Sequence, residues 1–120
     1  MKLLNKKINE ELVRDLSRIK NEPEWLLNLR LKSLKDFFNL AIHDFKYGLN
    51  IKLKNDINFD NLEFNFNNDF KLIKNKKIII SKFEDNYDTL KNYFMKLINN
   101  ENKFLALNST LFDGILIYVP

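Results

Sequence analysis

The chain has 120 residues, 45% of them apolar and 13% aromatic, enough for one buried core and too many for a chain disordered by composition. Lys and Arg (20) exceed Asp and Glu (16) for a net charge of +4, yet the two signs are interspersed and Arg occurs only at 14, 18 and 30, so the basicity does not define a nucleic-acid interface. The absence of Cys excludes a disulfide framework, a thiolate nucleophile and a sulfur ligand for zinc or an iron–sulfur cluster within these residues.

No apolar stretch approaches the ~20 residues of a membrane span, and the start MKLLNKKINEE lacks the apolar centre of a secretory signal. The protein is therefore expected to be soluble, without a membrane partner, and to stay where it is made. An excess of Lys, Asn, Ile and Phe matches A- and T-rich codons, which attributes much of the positive charge to base composition. Only two Gly and two Pro favour long helices over a loop-rich fold.

In chain order, Ile8, Leu12, Leu16 and Ile19 recur at helical spacing, with Asn9, Glu10 and Glu11 placed to complement the amino-terminal end, and predict a first helix over roughly 9–20. Pro23 suits a first helical position. Behind it Leu27, Leu31, Leu34, Phe38, Ala41, Ile42 and Phe45 line one face of a second helix that Gly48 stops. From 49 to 76 the Asn-rich text LNIKLKNDINFDNLEFNFNNDFKLIKNKK contains alternating sets, Ile57/Phe59 and Leu62/Phe64/Phe66, that argue for strand, while the Asn density argues for turns or for disorder with transient strands. KIIIS, Lys77 to Ser81, reads as a short buried strand. Asp85 or Asn86 caps a third helix with Leu90, Phe94, Leu97 and Ile98 on its apolar face. A helical turn or two over Lys103 to Thr110, carrying Phe104, Leu107 and Leu111, leads through Asp113-Gly114 into an almost wholly apolar strand, Ile115 to Val119, for which no partner is evident.

Chemistry-bearing residues are sparse. His43 stands beside Asp44, but neighbouring helical positions diverge by about 100° and cannot form an orienting pair. Glu84-Asp85-Asn86-Tyr87-Asp88 resembles the start of a calcium loop, yet Thr89 stands where that loop needs Gly and Met95 where it needs a bidentate Glu. Lys71, Lys74, Lys76 and Lys77 form the densest basic cluster and read as a solvated strand entry. Glu22 and Glu24 flank Pro23, where negative charge meets the positive end of a helix dipole. Trp25 reads as an anchor to the core. No Gly-rich phosphate loop or hydrolase motif occurs, so no residue is singled out as catalytic, cofactor-binding or metal-ligating.

Two stretches at opposite ends carry a family resemblance. SRIKNEPEWLLNLRLKSLKDF, Ser17 to Phe37, resembles the amino-terminal signature of the SufB/SufD family of iron–sulfur cluster assembly scaffold proteins, with Asn21-Glu22-Pro23-Glu24-Trp25 pointing to its SufB branch. NYFMKLINNENKFLALNSTLFDGILIYVP, Asn92 to Pro120, is similar to the family segment that leads into a β-helix; Tyr93, Phe94, Asn102 to Phe104, Ala106 to Asn108, Gly114 and Ile117 to Pro120 match. The middle departs: DINFDNLEFNF, residues 56–66, matches only weakly, and the stretch that usually follows is shortened or lost.

The resemblance implies an α+β fold. Residues 1–48 would form a helical amino-terminal region, and 49–120 a mixed α/β region entering the first strand of a truncated right-handed β-helix. It further implies the amino-terminal part of a SufB-like scaffold, not an enzyme, whose full-length relatives handle an iron–sulfur cluster and work with a SufC-like ATPase and a SufD-like paralogue. This chain itself would hold no cofactor. A SufD-like paralogue, a degenerate fragment and, on charge alone, a small basic nucleic-acid-binding protein are the alternatives; nucleic acid is not the expected partner. The codon bias and the lack of a presequence suit an organelle-encoded protein of an apicoplast-like plastid, or else the cytoplasm of an AT-rich bacterium.

Overall fold

The computed structural model describes residues 7–42, 77–97 and 99–120. In order these form α1 (Glu10–Ile19), α2 (Glu24–Asn39), β1 (Ile79–Lys82), a 3-10 turn (Phe83–Asp85), α3 (Tyr87–Tyr93), α4 (Lys103–Leu111) and β2 (Ile115–Tyr118). The expectations for His43, Asp44, Phe45, Gly48, residues 49–76 and Ile98 lie outside the described residues, as does the expected boundary at 48/49.

Asn9 starts α1 by accepting a hydrogen bond from the Leu12 amide at 2.9 Å, and Glu10 and Glu11 occupy the first turn, where carboxylates complement the helix dipole. The helix ends in a reciprocal pair of main-chain bonds, Asn21 N–H to Arg18 O at 3.1 Å and Glu22 N–H to Ser17 O at 2.9 Å. This is the Schellman arrangement, and it requires a left-handed residue after the cap. Asn21 supplies it with φ 49. After this corner, extended Pro23 is the N-cap of α2 and not its first helical residue, so the helix begins at Glu24, one residue later than expected.

Both amino-terminal helices bury a different stripe from the expected one. On α1, Ile8, Leu12 and Leu16 are buried as expected, but Ile19 is 49% exposed and Val13 and Lys20 take the inner side. On α2 the buried line is Leu26, Arg30, Ser33, Leu34 and Phe37, while Leu27 and Leu31 are half-buried and Phe38 is 59% exposed. The apolar pattern Leu27-Leu31-Leu34-Phe38 lies about one residue off the stripe that packing selects. The helix also ends at Asn39, because Leu40 is extended and Ala41 and Ile42 are not helical. Lys103 closes that end, donating from Nζ to the carbonyls of Phe37 (2.6 Å) and Leu40 (3.2 Å) and lying 4.2 Å from the centre of the Phe37 ring. Burial lowers its pKa.

The principal packing is α2 against α4, with α1 laid on α2. Asn102 caps α4 through the Leu105 amide at 3.0 Å. Buried Ser109 and Thr110 return their hydroxyls to the carbonyls of Leu105 (2.9 Å) and Ala106 (2.7 Å), so two polar residues are satisfied within a packed interface. Ile8, Leu12, Val13, Leu16, Leu34, Phe37, Ala106 and Leu111 form the core.

β2 has a partner. It pairs antiparallel with β1 in the register Ile79↔Tyr118, Ile80↔Ile117, Ser81↔Leu116 and Lys82↔Ile115. The expectation of an unpaired final strand is thus corrected, as is the expectation that KIIIS is buried: of Lys77 to Ser81 only Ser81 is. Ile115 and Ile117 lie on the outward face of this two-stranded ribbon and are exposed. The third helix is also shorter than expected. Phe94 turns extended and Met95 adopts φ 55, so Leu97 falls beyond the helix and is 98% exposed. Among the described residues the architecture is α+β, with amino-terminal helices and one small antiparallel sheet; a β-helix is not among these elements.

Candidate functional site

The α1–α2 corner places two charged side chains of neighbouring sequence inside the protein. Glu22, turned inward by the Schellman bend, meets Arg30 two turns along α2: Nε donates to Oε2 at 2.8 Å and Nη2 to Oε1 at 2.6 Å, a bidentate pair in which both side chains are 1% exposed. The remaining donors of Arg30 reach across to the end of α4, Nη1 to the Thr110 carbonyl at 2.9 Å and Nη2 to the Phe112 carbonyl at 3.1 Å. The guanidinium also stacks over the Phe112 ring, 3.9 Å from its centre. Arg suits this position because its planar fork serves a carboxylate and two carbonyls at once, which the point charge of Lys cannot do.

A second ion pair lies beside the first. Lys20, with a side chain 4% exposed, donates to Asp113 Oδ1 at 2.6 Å and Glu84 Oε1 at 2.9 Å, and its own carbonyl accepts from the Tyr87 hydroxyl at 2.8 Å. Burial, followed by the carboxylates of Glu22 and Glu84, raises the Tyr87 pKa above the usual phenol value of 10.0. Below this junction Phe94 and Phe112 approach to 4.2 Å between ring centres, and Phe83 joins them at 5.6 and 5.8 Å. The Phe83 ring lies so close to Gly114 that a Cβ there would sit 3.2 Å from Cζ. A side chain at 114 would therefore press on the Phe83 ring, which would have to shift by a few tenths of an ångström.

The junction opens on an acidic cleft of about 530 Å³ lined by Asn21, Glu22, Glu84, Asp85, Tyr87 and Asp88. Glu84 Oε2 is buried there without a hydrogen-bond partner among the described residues. The stretch Glu84 to Asp88 does not close into a cation loop: Glu84 turns to Lys20, and the Asn86 amide donates to Ser81 Oγ at 2.6 Å. Among the described residues no three His, Asp or Glu side chains gather in a metal-binding group. A second polar cleft of about 540 Å³ runs between α2 and the turn before α4, where Asn100 Nδ2 donates to Asp36 (2.8 Å) and Ser33 (3.1 Å).

Of the residues weighed from sequence, Trp25 is half-buried on the first turn of α2, and Glu24 stands exposed where the dipole argument puts it. Glu22 does not; it is drawn inside by Arg30. Lys77 is exposed, and Lys71, Lys74 and Lys76 lie outside the described residues. The roles of Lys20, Arg30 and Asp113 were missed, since the carbonyls that Arg30 binds lie 80 and 82 residues away and Lys20 and Asp113 are 93 apart, while Glu22, eight residues from Arg30, reads as a helix-dipole charge. One local signal existed. Arg30 interrupts a line, Leu26 to Leu34 to Phe37, whose other members are buried, and a charge within such a line demands a buried partner.

No family model matches the chain. It is 29% identical over 161 residues to iron–sulfur cluster assembly SufBD family proteins of Staphylococcus aureus strains USA300 and NCTC 8325, a match covering 94% of this chain and 35% of each relative. It is 28% identical over 113 residues to the iron–sulfur cluster assembly protein SufB of Bacillus subtilis, covering 92% of this chain and 22% of that protein. These matches, which cover nearly all of the chain, support the SufB/SufD family. The chain spans about a third of the length of its staphylococcal relatives. The staphylococcal match is also longer than the chain's own 120 residues, so those SufBD proteins carry residues within the matched span that have no counterpart here. The two stretches that resemble the SufB/SufD family meet in space: Lys20, Glu22 and Arg30 come from the first, Thr110, Phe112 and Asp113 from the second.

Proposed function

We propose that this chain is the amino-terminal part of a SufB-like scaffold in iron–sulfur cluster assembly, with no catalytic site of its own. One observation carries the reading. The two resembling stretches form the two sides of a single joint in which Arg30 binds Glu22 and the Thr110 and Phe112 carbonyls, so the resemblance covers one physical unit rather than two unconnected motifs. The staphylococcal and Bacillus relatives, all named as iron–sulfur cluster assembly proteins, supply the process. In this reading the joint fixes the direction in which β2 leaves α4 towards the β-helix of the longer family proteins. A SufC-like ATPase and a SufD-like paralogue are the partners of the complete assembly, the cluster is its cargo, and an organelle-encoded plastid protein is the setting that the Lys-, Asn-, Ile- and Phe-rich composition suits.

Affinity purification of the native protein from its own cells tests this. A SufC-like ATPase should co-elute, and an Arg30→Met variant that breaks the joint should recover less of it than an exposed-site Lys35→Gln control. Recovery of nucleic acid in a salt-dependent manner, with no ATPase subunit, would sink the scaffold reading.

A further inference from the structure

Asp113 is followed by Gly114, and a glycine leaves the amide nitrogen after an aspartate sterically open to attack the side-chain carboxyl group. In this structure the attack is blocked. The Gly114 N–H points at Asp113 Oδ1 over 2.9 Å, so the nitrogen presents its proton to an oxygen and not its face to the carbon Cγ. Lys20 Nζ holds that same oxygen at 2.6 Å, and the Asp113 side chain is only 14% exposed.

We propose that Asp113 is a latent site of covalent modification, a spontaneous aspartate-to-isoaspartate isomerisation that the Lys20 ion pair suppresses while the amino-terminal helices stay docked. When the α1–α2 corner lifts, Lys20 leaves with it and its hold on the carboxyl group is lost. The Gly114 nitrogen then attacks Cγ of the protonated acid: an N–Cγ bond forms, a Cγ–O bond breaks, and the hydroxyl departs with the amide proton as water. Water reopens the five-membered imide at the former main-chain carbonyl and leaves isoaspartate. The net change is an isomerisation with no mass difference and no co-reactant beyond water. The product carries one additional methylene in its main chain immediately before β2. The added methylene moves the carboxylate relative to Lys20, so opening of the joint leaves a covalent record that reverts only through the same imide.

The test incubates the full chain at mildly acidic and neutral pH and measures isoaspartate at 113 by peptide mapping with electron-transfer fragmentation and by enzymatic methylation of isoaspartyl carboxyls. Accumulation in the native protein should be at least about tenfold slower than in urea, reflecting the rarity of local opening. Lys20→Met should accelerate it in protein that remains folded by circular dichroism, while Lys35→Gln should not. Equal rates in native protein and in urea would overturn the proposal, as would a folded Lys20→Met variant that isomerises no faster than wild type. If Lys20→Met does not fold, the comparison of native and urea-unfolded wild type decides alone.

Discussion

Replacing Arg30 with Met leaves the Glu22 carboxylate buried with no countercharge and frees the Thr110 and Phe112 carbonyls of their donors. Removing one partner of a buried, hydrogen-bonded pair costs about 3–5 kcal/mol, whereas replacing both by apolar or neutral groups of similar shape is far milder. The double variant Glu22→Gln/Arg30→Met should therefore lose much less stability than the sum of the single variants, as a urea-unfolding cycle would show; additive losses would contradict the pairing. Tyr87 adds a pH dependence. Its folded-state pKa lies above the unfolded value of 10.0, so the folded protein keeps this proton after the unfolded chain has released it. The stability linked to it is complete below pH 10.0 and is lost as pH rises into the alkaline range above that value. Tyr87→Phe removes the hydrogen bond to the Lys20 carbonyl, at about 0.5–1.5 kcal/mol near neutrality, and with it the alkaline loss. The stability gap between wild type and variant should shrink from neutral pH to about pH 11; a gap that stays constant would show that the phenol is not held in the folded state.

At the level of elements, α4 depends on its first residue. Asn102 provides the only side-chain cap among the described residues for a helix of nine residues, which is too short to persist without packing. Asn102→Ala should cost about 1 kcal/mol, read as a lower thermal midpoint, and Asn102→Asp should retain most of the stability. The existence of α1, α2 and α4 was legible from apolar spacing and capping residues alone. Their rotation was not. Periodicity counts Ile19 and Phe38 as inward and Arg30 and Lys20 as outward; that order is reversed by the distant carboxylates of Glu84 and Asp113 for Lys20 and by Glu22 with the distant Thr110 and Phe112 carbonyls for Arg30. The end of α3 was hidden for a different reason: Leu97 continues the helical spacing, but the extended Phe94, drawn into contact with Phe83 and Phe112, breaks the backbone before it. The β1–β2 pairing is non-local, so a reading along the chain finds both strands without finding that they face each other.

Over the whole molecule, the sheet is finished on one side only. Ser81, Leu116, Ile79 and Tyr118 share the inner face, whereas Ile115 and Ile117 stand outward and Val119 continues their line. Among the described residues neither strand has a second neighbour, and an exposed apolar ribbon of this kind promotes self-association. Ile117→Lys should leave the thermal midpoint nearly unchanged and lower the apparent mass in light scattering at high concentration. A large loss of stability would instead show that this face is packed.

Arg30 grips the far end of the chain largely by its main chain. Two of its contacts are carbonyl oxygens, at Thr110 and Phe112, and any residue supplies a carbonyl. The joint is thus partly blind to spelling: the guanidinium itself asks only for a carbonyl at 110 and 112 and a ring at 112, and what restricts positions 110 and 111 is their own burial in the core. Selection on such a contact acts on the path of the backbone, and its trace in an alignment is a single arginine with no co-varying partner opposite the carbonyls. Counting identities undervalues a contact of this kind, and relatives with few matching residues can still close the same joint.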